Sequence, residues 1–113
     1  MKSLRPLIGA ALLMTASVSA HAYTECPGRV IKIFADSSVY VWFDNGLVWQ
    51  RAAWYGSGVV ELQSQATVKN IVALATVAMT TGRPLTVRFT ANGVSCSGDQ
   101  QTQEVWGVYL SDT

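Results

Sequence analysis

The sequence predicts a small, mainly β protein: a five-stranded Greek-key barrel with one α-helix between its third and fourth strands. Three observations carry this. Short runs rich in β-branched and aromatic residues recur at close spacing, turn formers separate them, and one longer segment switches to three- and four-residue apolar periodicity.

The elements begin after a targeting segment. Met1 to Ala22 reads as a signal peptide: Lys2 and Arg5 stand ahead of the apolar run Leu7 to Met14, small residues follow, and Ala20-His21-Ala22 forms an A-x-A cleavage site. Removing those 22 of the 113 residues leaves 91, assigned as a single domain over 23–113. A domain of that size buries only about 60–65% of its unfolded surface, so extra stabilisation is expected. Cys26 and Cys96, in an exported chain, supply it as a disulfide. Closing a loop of that length is worth roughly 4 kcal/mol in the chain-entropy treatment.

Arg29 to Phe34 reads as the first strand, with a turn at Asp36-Ser37-Ser38 and a second strand from Val39 to Phe43. In the second strand Tyr40 and Trp42 alternate with Val39, Val41 and Phe43, which sets the two amphipathic aromatics on the face away from the aliphatic ones. Asp44-Asn45-Gly46 is a hairpin signal, because Asn and Gly tolerate the positive φ of tight turns. A third strand, Leu47 to Arg51, follows. Ala52 to Gly58 reads as a bulge or exposed loop, and Val59 to Leu62 as a continuation of the strand.

Ser64 to Thr81 is the helix. Val68, Ile71, Val72, Ala75, Ala78 and Met79 give the periodicity, Ser64 or Thr67 caps the start, and Gly82 with Pro84 ends it. Its apolar arc is wider than one core contact needs, so it is either sunk in its own domain or shared with a neighbouring subunit. Leu85 to Phe89 is the fourth strand, Asn92-Gly93 a turn, Cys96 to Gln103 a polar loop, and Val105 to Leu110 the last strand. Trp106 and Tyr109 fall on opposite faces of that strand, which places at least one of them in the core. Three strands, one helix and two strands is the order of the OB-fold, a partly closed barrel used for oligonucleotides and oligosaccharides alike.

Composition excludes several function classes. The 23–113 segment carries six basic and seven acidic residues, so the electrostatic term that dominates nucleic-acid binding is missing and no nucleic-acid partner is predicted. His21 is the only histidine and leaves with the signal peptide, which removes histidine-based triads and histidine zinc sites. No metal, cofactor or catalytic residue is assigned. Asp36, Asp44, Glu61 and Glu104 sit in no glycosidase-like motif, and the chain is read as a non-enzyme. The starting apolar run is too short to span a bilayer, so membrane insertion is not predicted. The protein is expected to be secreted or periplasmic after cleavage near Ala22.

The remaining residues favour sugar. Trp54 and Tyr55 beside Gly56-Ser57-Gly58 form a loop platform for a pyranose face, or else Trp54 folds back to cap the barrel. Tyr40 and Trp42 form a stacking wall or a subunit interface, where aromatics are also enriched. Asp44, Asn45, Gln50 and Arg51 offer directional hydrogen bonds, or make up a hairpin turn and a solvated strand edge.

One segment carries a family resemblance. Ala78-Met79-Thr80-Thr81-Gly82-Arg83-Pro84-Leu85-Thr86-Val87-Arg88 resembles the helix end, Thr-Gly-x-Pro turn and fourth strand of B subunits from A-plus-B-pentamer bacterial toxins, in particular the subtilase cytotoxin and pertussis-like group. The resemblance implies a ring of five subunits, helices lining a central pore that receives the tail of a catalytic A subunit, and pockets for a cell-surface glycan. Where that group has a serine for sialic-acid recognition ahead of its first strand, Pro27 or Gly28 stands here, so no sialic-acid contact is carried over. The expected function is therefore a secreted, pentameric, carbohydrate-binding toxin subunit that brings a catalytic chain to glycosylated cells. The alternative is a periplasmic OB-like protein-interaction or inhibitor module without glycan binding.

Overall fold

The computed structural model describes residues 22–52 and 59–112, the side chains of 59–62 excepted. Two three-stranded antiparallel sheets make the barrel. Strands β1 (Thr24–Gly28), β5 (Leu85–Phe89) and β6 (Val105–Leu110) form one in the order β1-β5-β6, and β2 (Val30–Ala35), β3 (Ser38–Phe43) and β4 (Val48–Ala52) form the other in the order β2-β3-β4. Among the described residues one helix, α1 (Val59–Thr81), joins β4 to β5 and packs mainly against β2 and β6. The fold is the expected OB-like barrel. Among the described residues, no helix is long and apolar enough to cross a membrane.

β1 and β2 are separated only by Arg29: they are one run whose halves join different sheets, which is how the barrel turns its corner. The sequence reading starts the first strand at Arg29 and misses β1, because Pro27 and Gly28 read as breakers. Pro27 is tolerated since β1 lies at a sheet edge. Gly28 is required by space. A Cβ there would lie 2.2 Å from Cδ2 of Phe43.

The core fills from alternating residues of both sheets. Val39, Val41 and Phe43 of β3, Leu47 and Trp49 around β4, and Leu85, Val87 and Phe89 of β5 are all buried, and Val68, Ile71, Ala75 and Ala78 of the helix close over them. Phe43 and Trp49 meet edge to face with ring centroids 6.0 Å apart. Cys26, fully buried, is bonded to Cys96, and the disulfide ties β1 to the long connection before β6.

Local chemistry explains the turns. Asp36 accepts the backbone N–H of Ser38 at 2.8 Å and closes the β2–β3 connection. That bond, reinforced by the Ser38 hydroxyl, holds the Asp36 carboxyl below its ordinary pKa. In the β3–β4 turn only Gly46 takes positive φ, at 91°, while Asn45 contributes its carboxamide oxygen to the Leu47 N–H at 3.1 Å. The helix ends as expected. Gly82, at φ 73°, donates its N–H to the Ala78 carbonyl at 2.9 Å, and Pro84 follows.

The helix start differs from expectation. Val59 to Leu62 are the first turn of α1 rather than a strand, and Ser64 is a buried helical residue instead of a cap. The Val-Val pair favours strand by well under 1 kcal/mol per residue, a preference that docking of a 23-residue helix overrides. The wide apolar arc is only partly buried in the chain itself: Val77 and Met79 remain 42% and 46% exposed.

Candidate functional site

A cleft of about 730 Å³ opens where three pieces of chain meet. Gln50, Arg51 and Ala52 of β4 form one wall. Gln63, Ser64 and Thr67 of α1 form the second, and the run Gln101–Trp106 leading into β6 forms the third. Its size suits a few sugar rings or a compact polar ligand.

The connection that leads from β5 into the third wall is a loop in sequence, yet it is fastened on both sides. The Cys26–Cys96 bond and the Thr24 hydroxyl, which donates to the Ala91 carbonyl and accepts the Val94 N–H, hold it to β1. On the other side Val48 donates to the Gly98 carbonyl and accepts the Gln100 N–H, at 2.9 and 2.8 Å. The Gln50 carboxamide donates to the Gln101 carbonyl at 3.0 Å, and the Arg51 guanidinium donates to the Val105 carbonyl across the gap between β4 and β6. The walls are therefore set before any ligand arrives. Amides and hydroxyls dominate the lining, and each amide both donates and accepts, as a sugar hydroxyl does.

Trp106 stands at the mouth, 59% exposed. Both Trp106 and Tyr109 point outward, against the expectation that one is core. The cause is a register shift. Arg88 pairs with Gly107 but its neighbour Phe89 pairs with Val105, so Trp106 is an extra residue in β6 and the in–out alternation changes phase there. Trp106 is also held from behind. The Arg88 guanidinium lies 5.6 Å from its ring and 4.4 Å from that of Tyr23, and Tyr23 meets Trp106 edge-on with centroids 6.3 Å apart. Arg88 in turn donates from Nε and Nη2 to one Glu25 oxygen, at 3.0 and 2.6 Å, while the Tyr109 hydroxyl donates to the other at 3.2 Å. Hydrogen bonding to Glu25 holds the guanidinium above its ordinary pKa, and the cluster is neutral overall.

The sequence reading assigned none of Tyr23, Glu25, Arg88 or Trp106 to the site. Only the bulge brings Trp106 to that face, and nothing in the spacing of β6 announces it.

Of the expected residues, Gln50 and Arg51 lie in the cleft wall. Tyr40 and Trp42 lie on the outer face of the β2-β3-β4 sheet, in a row with Phe34: Phe34–Tyr40 centroids are 5.8 Å apart and Tyr40–Trp42 centroids 6.5 Å. The Lys32 ammonium sits 4.6 Å over the Trp42 ring. Asp44 and Asn45 are at the other end of the β3–β4 hairpin from the cleft, and the Asn45 oxygen is engaged by Leu47. The structure does not bring these two together with Arg51. Trp54 and Tyr55 lie outside the described residues.

No protein-family model matches the chain, and no curated protein matches it in sequence. Solved structures match in shape. A human heat-labile enterotoxin, solved in complex with a blood group A antigen analog, superposes with a TM-score of 0.53 at 9% identity, over 81% of this chain and 88% of that one. The cholera toxin-like B-subunit from Citrobacter freundii superposes with a TM-score of 0.50 at 13% identity, over 88% of this chain and 96% of that one. The chain has the toxin B-subunit fold. At these identities the likeness lies in backbone and element order alone. In this B-subunit fold the cleft and the Trp106 cluster are properties of the chain's own residues.

Proposed function

We propose that the protein is a secreted, carbohydrate-binding, ring-forming B subunit, a pentamer that delivers a catalytic A subunit to glycosylated host cells. The observation that carries the glycan reading is the preset, amide-lined cleft with an immobilised, exposed tryptophan at its mouth. An indole face stacks on the apolar face of a pyranose while amides take the hydroxyls, and neither wall has to reorganise. Gln50 and Arg51, which line the cleft, are proposed to donate to a bound sugar. Trp54 and Tyr55, in the segment between β4 and α1, remain proposed contacts, as do Tyr40 and Trp42 beside the cleft.

The ring is supported by what the single chain leaves uncovered. β2 and β6 are each an edge strand of their sheet, and both expose large apolar side chains besides Trp106: Ile31 and Phe34 on β2 and Tyr109 on β6. Long apolar edges invite pairing with another copy. Val77 and Met79 add an unpartnered strip on the helix. Five weak sites on one rigid ring gain the effective concentration that one shallow site lacks. A glycan array probed with the native protein and with Trp106→Ala tests the reading. Binding by the native ring and its loss in the folded variant is expected; an array with no binders for the native protein contradicts it.

A further inference from the structure

Resting on that carbohydrate reading, we infer that the ligand is an extended, uncharged oligosaccharide, which leaves the cleft past Gln50 and lies along Tyr40 and Trp42, rather than a single terminal sugar held by the cleft alone. The juxtaposition that carries this is the shared position of Gln50. It lines the cleft, and it is also the direct cross-strand partner of Tyr40, so their side chains stand on the same face of the sheet. Cleft and aromatic row are therefore one continuous surface.

The row has the properties of a binding face. Tyr40 and Trp42 are half-buried and tilted 36° to each other, and the Phe34 and Tyr40 planes are tilted 40°. The Lys32 ammonium braces Trp42 from one side. Rings held in this way lose little freedom when a ligand covers them. Charge decides the ligand class. The residues of β3 and β4 that share this face are Ser38, Tyr40, Trp42, Val48, Gln50 and Ala52, none of them an acidic or basic residue. The cations nearby are engaged: Lys32 with Trp42, Arg51 with the Val105 carbonyl, and Arg88 with Glu25. A chain of neutral pyranoses, with hydroxyls for Gln50 and C–H faces for the rings, fits this surface.

The test measures affinity against chain length. The secreted protein is titrated calorimetrically with neutral linear glycans of two and of four sugars, taken from the best-binding sequence on the array, and with the sialylated form of the tetrasaccharide. At least about a tenfold gain from two sugars to four is expected, with no further gain from the sialic acid. Tyr40→Ala and Trp42→Ala should each remove most of the gain from two sugars to four, while Tyr40→Phe keeps it. Circular dichroism checks folding, and Tyr40→Gln replaces the alanine variant if that one misfolds. Equal affinity for both lengths, or a gain that survives loss of either ring, overturns the inference while leaving the cleft site intact. Dissociation of the oligomer by Tyr40→Ala or Trp42→Ala overturns it in favour of a second copy on this face. A protein that binds no glycan of any length fails the carbohydrate reading itself.

Discussion

Gly28 shows how a single missing side chain can position two sheets. It sits at the corner where β1 hands over to β2, and the Phe43 ring occupies the space its Cβ would need. Gly28→Ala should therefore destabilise the protein by about 1–3 kcal/mol, the usual cost of overpacking, as read by urea denaturation. Arg88 has a different role. Its ion pair with Glu25 is partly exposed, with the two side chains 36% and 29% accessible, so its contribution to global stability is at most about 1 kcal/mol. Its larger effect is on Trp106. Arg88→Ala should leave the denaturation midpoint nearly unchanged yet loosen the indole, with a red-shifted Trp106 emission and weaker glycan binding. Arg88→Lys should not restore either property, since an ammonium cannot stack on Tyr23 and reach one carboxylate from two nitrogens. Asp36 adds a pH term. Its folded pKa is lowered by Ser38, so its contribution is fully present above the unfolded value and is lost as pH falls through the folded one. The stability gap between wild type and Asp36→Asn should close over that acid range in thermal melts taken at successive pH values.

At the scale of elements, the Cys26–Cys96 link matters most to the loop that walls the cleft. Reducing it, or replacing both cysteines by serine, should cost roughly 4 kcal/mol of stability in urea and weaken glycan binding at temperatures where the chain stays folded. The elements also mark what a sequence can and cannot disclose here. β3, β4, β5 and the helix end were legible because alternation, Asn45-Gly46 and Gly82-x-Pro84 are local signals whose physics acts within a few residues. β1 was hidden because an edge strand can carry Pro27 and a corner can need Gly28. The first helical turn was hidden because Val59 and Val60 speak for a strand locally and are overruled by packing. The site suffered most. Arg51 and the Tyr40–Trp42 face follow from alternation alone, whereas Trp106 owes its place to a bulge that exists only in the pairing of β6 with β5. Asp44 and Asn45, read as ligand donors, sit in the β3–β4 turn away from the cleft, and turn residues and binding residues share a composition.

The whole molecule has more uncovered apolar surface than a monomer of this size needs. Ile31, Phe34, Val77, Met79, Trp106 and Tyr109 are all more than 40% exposed, and they lie on two edge strands and a helix rather than scattered. A ring that sets the Ile31 edge of β2 beside the Tyr109 end of β6 of the next copy and turns the helices toward a common axis would cover the rest of these residues and leave Trp106 open at the cleft mouth. Avidity would follow from the same geometry, because sites on a closed ring present themselves together. A charged substitution on the exposed edge, Ile31→Glu, should break the assembly into folded monomers and lower binding to a glycan-coated surface far more than binding to free glycan. The most direct test of the account is native mass spectrometry of the protein from Tyr23 onward at micromolar concentration. A species of five protomer masses is predicted; a folded protein found only as a monomer would contradict the ring and the multivalent mechanism built on it.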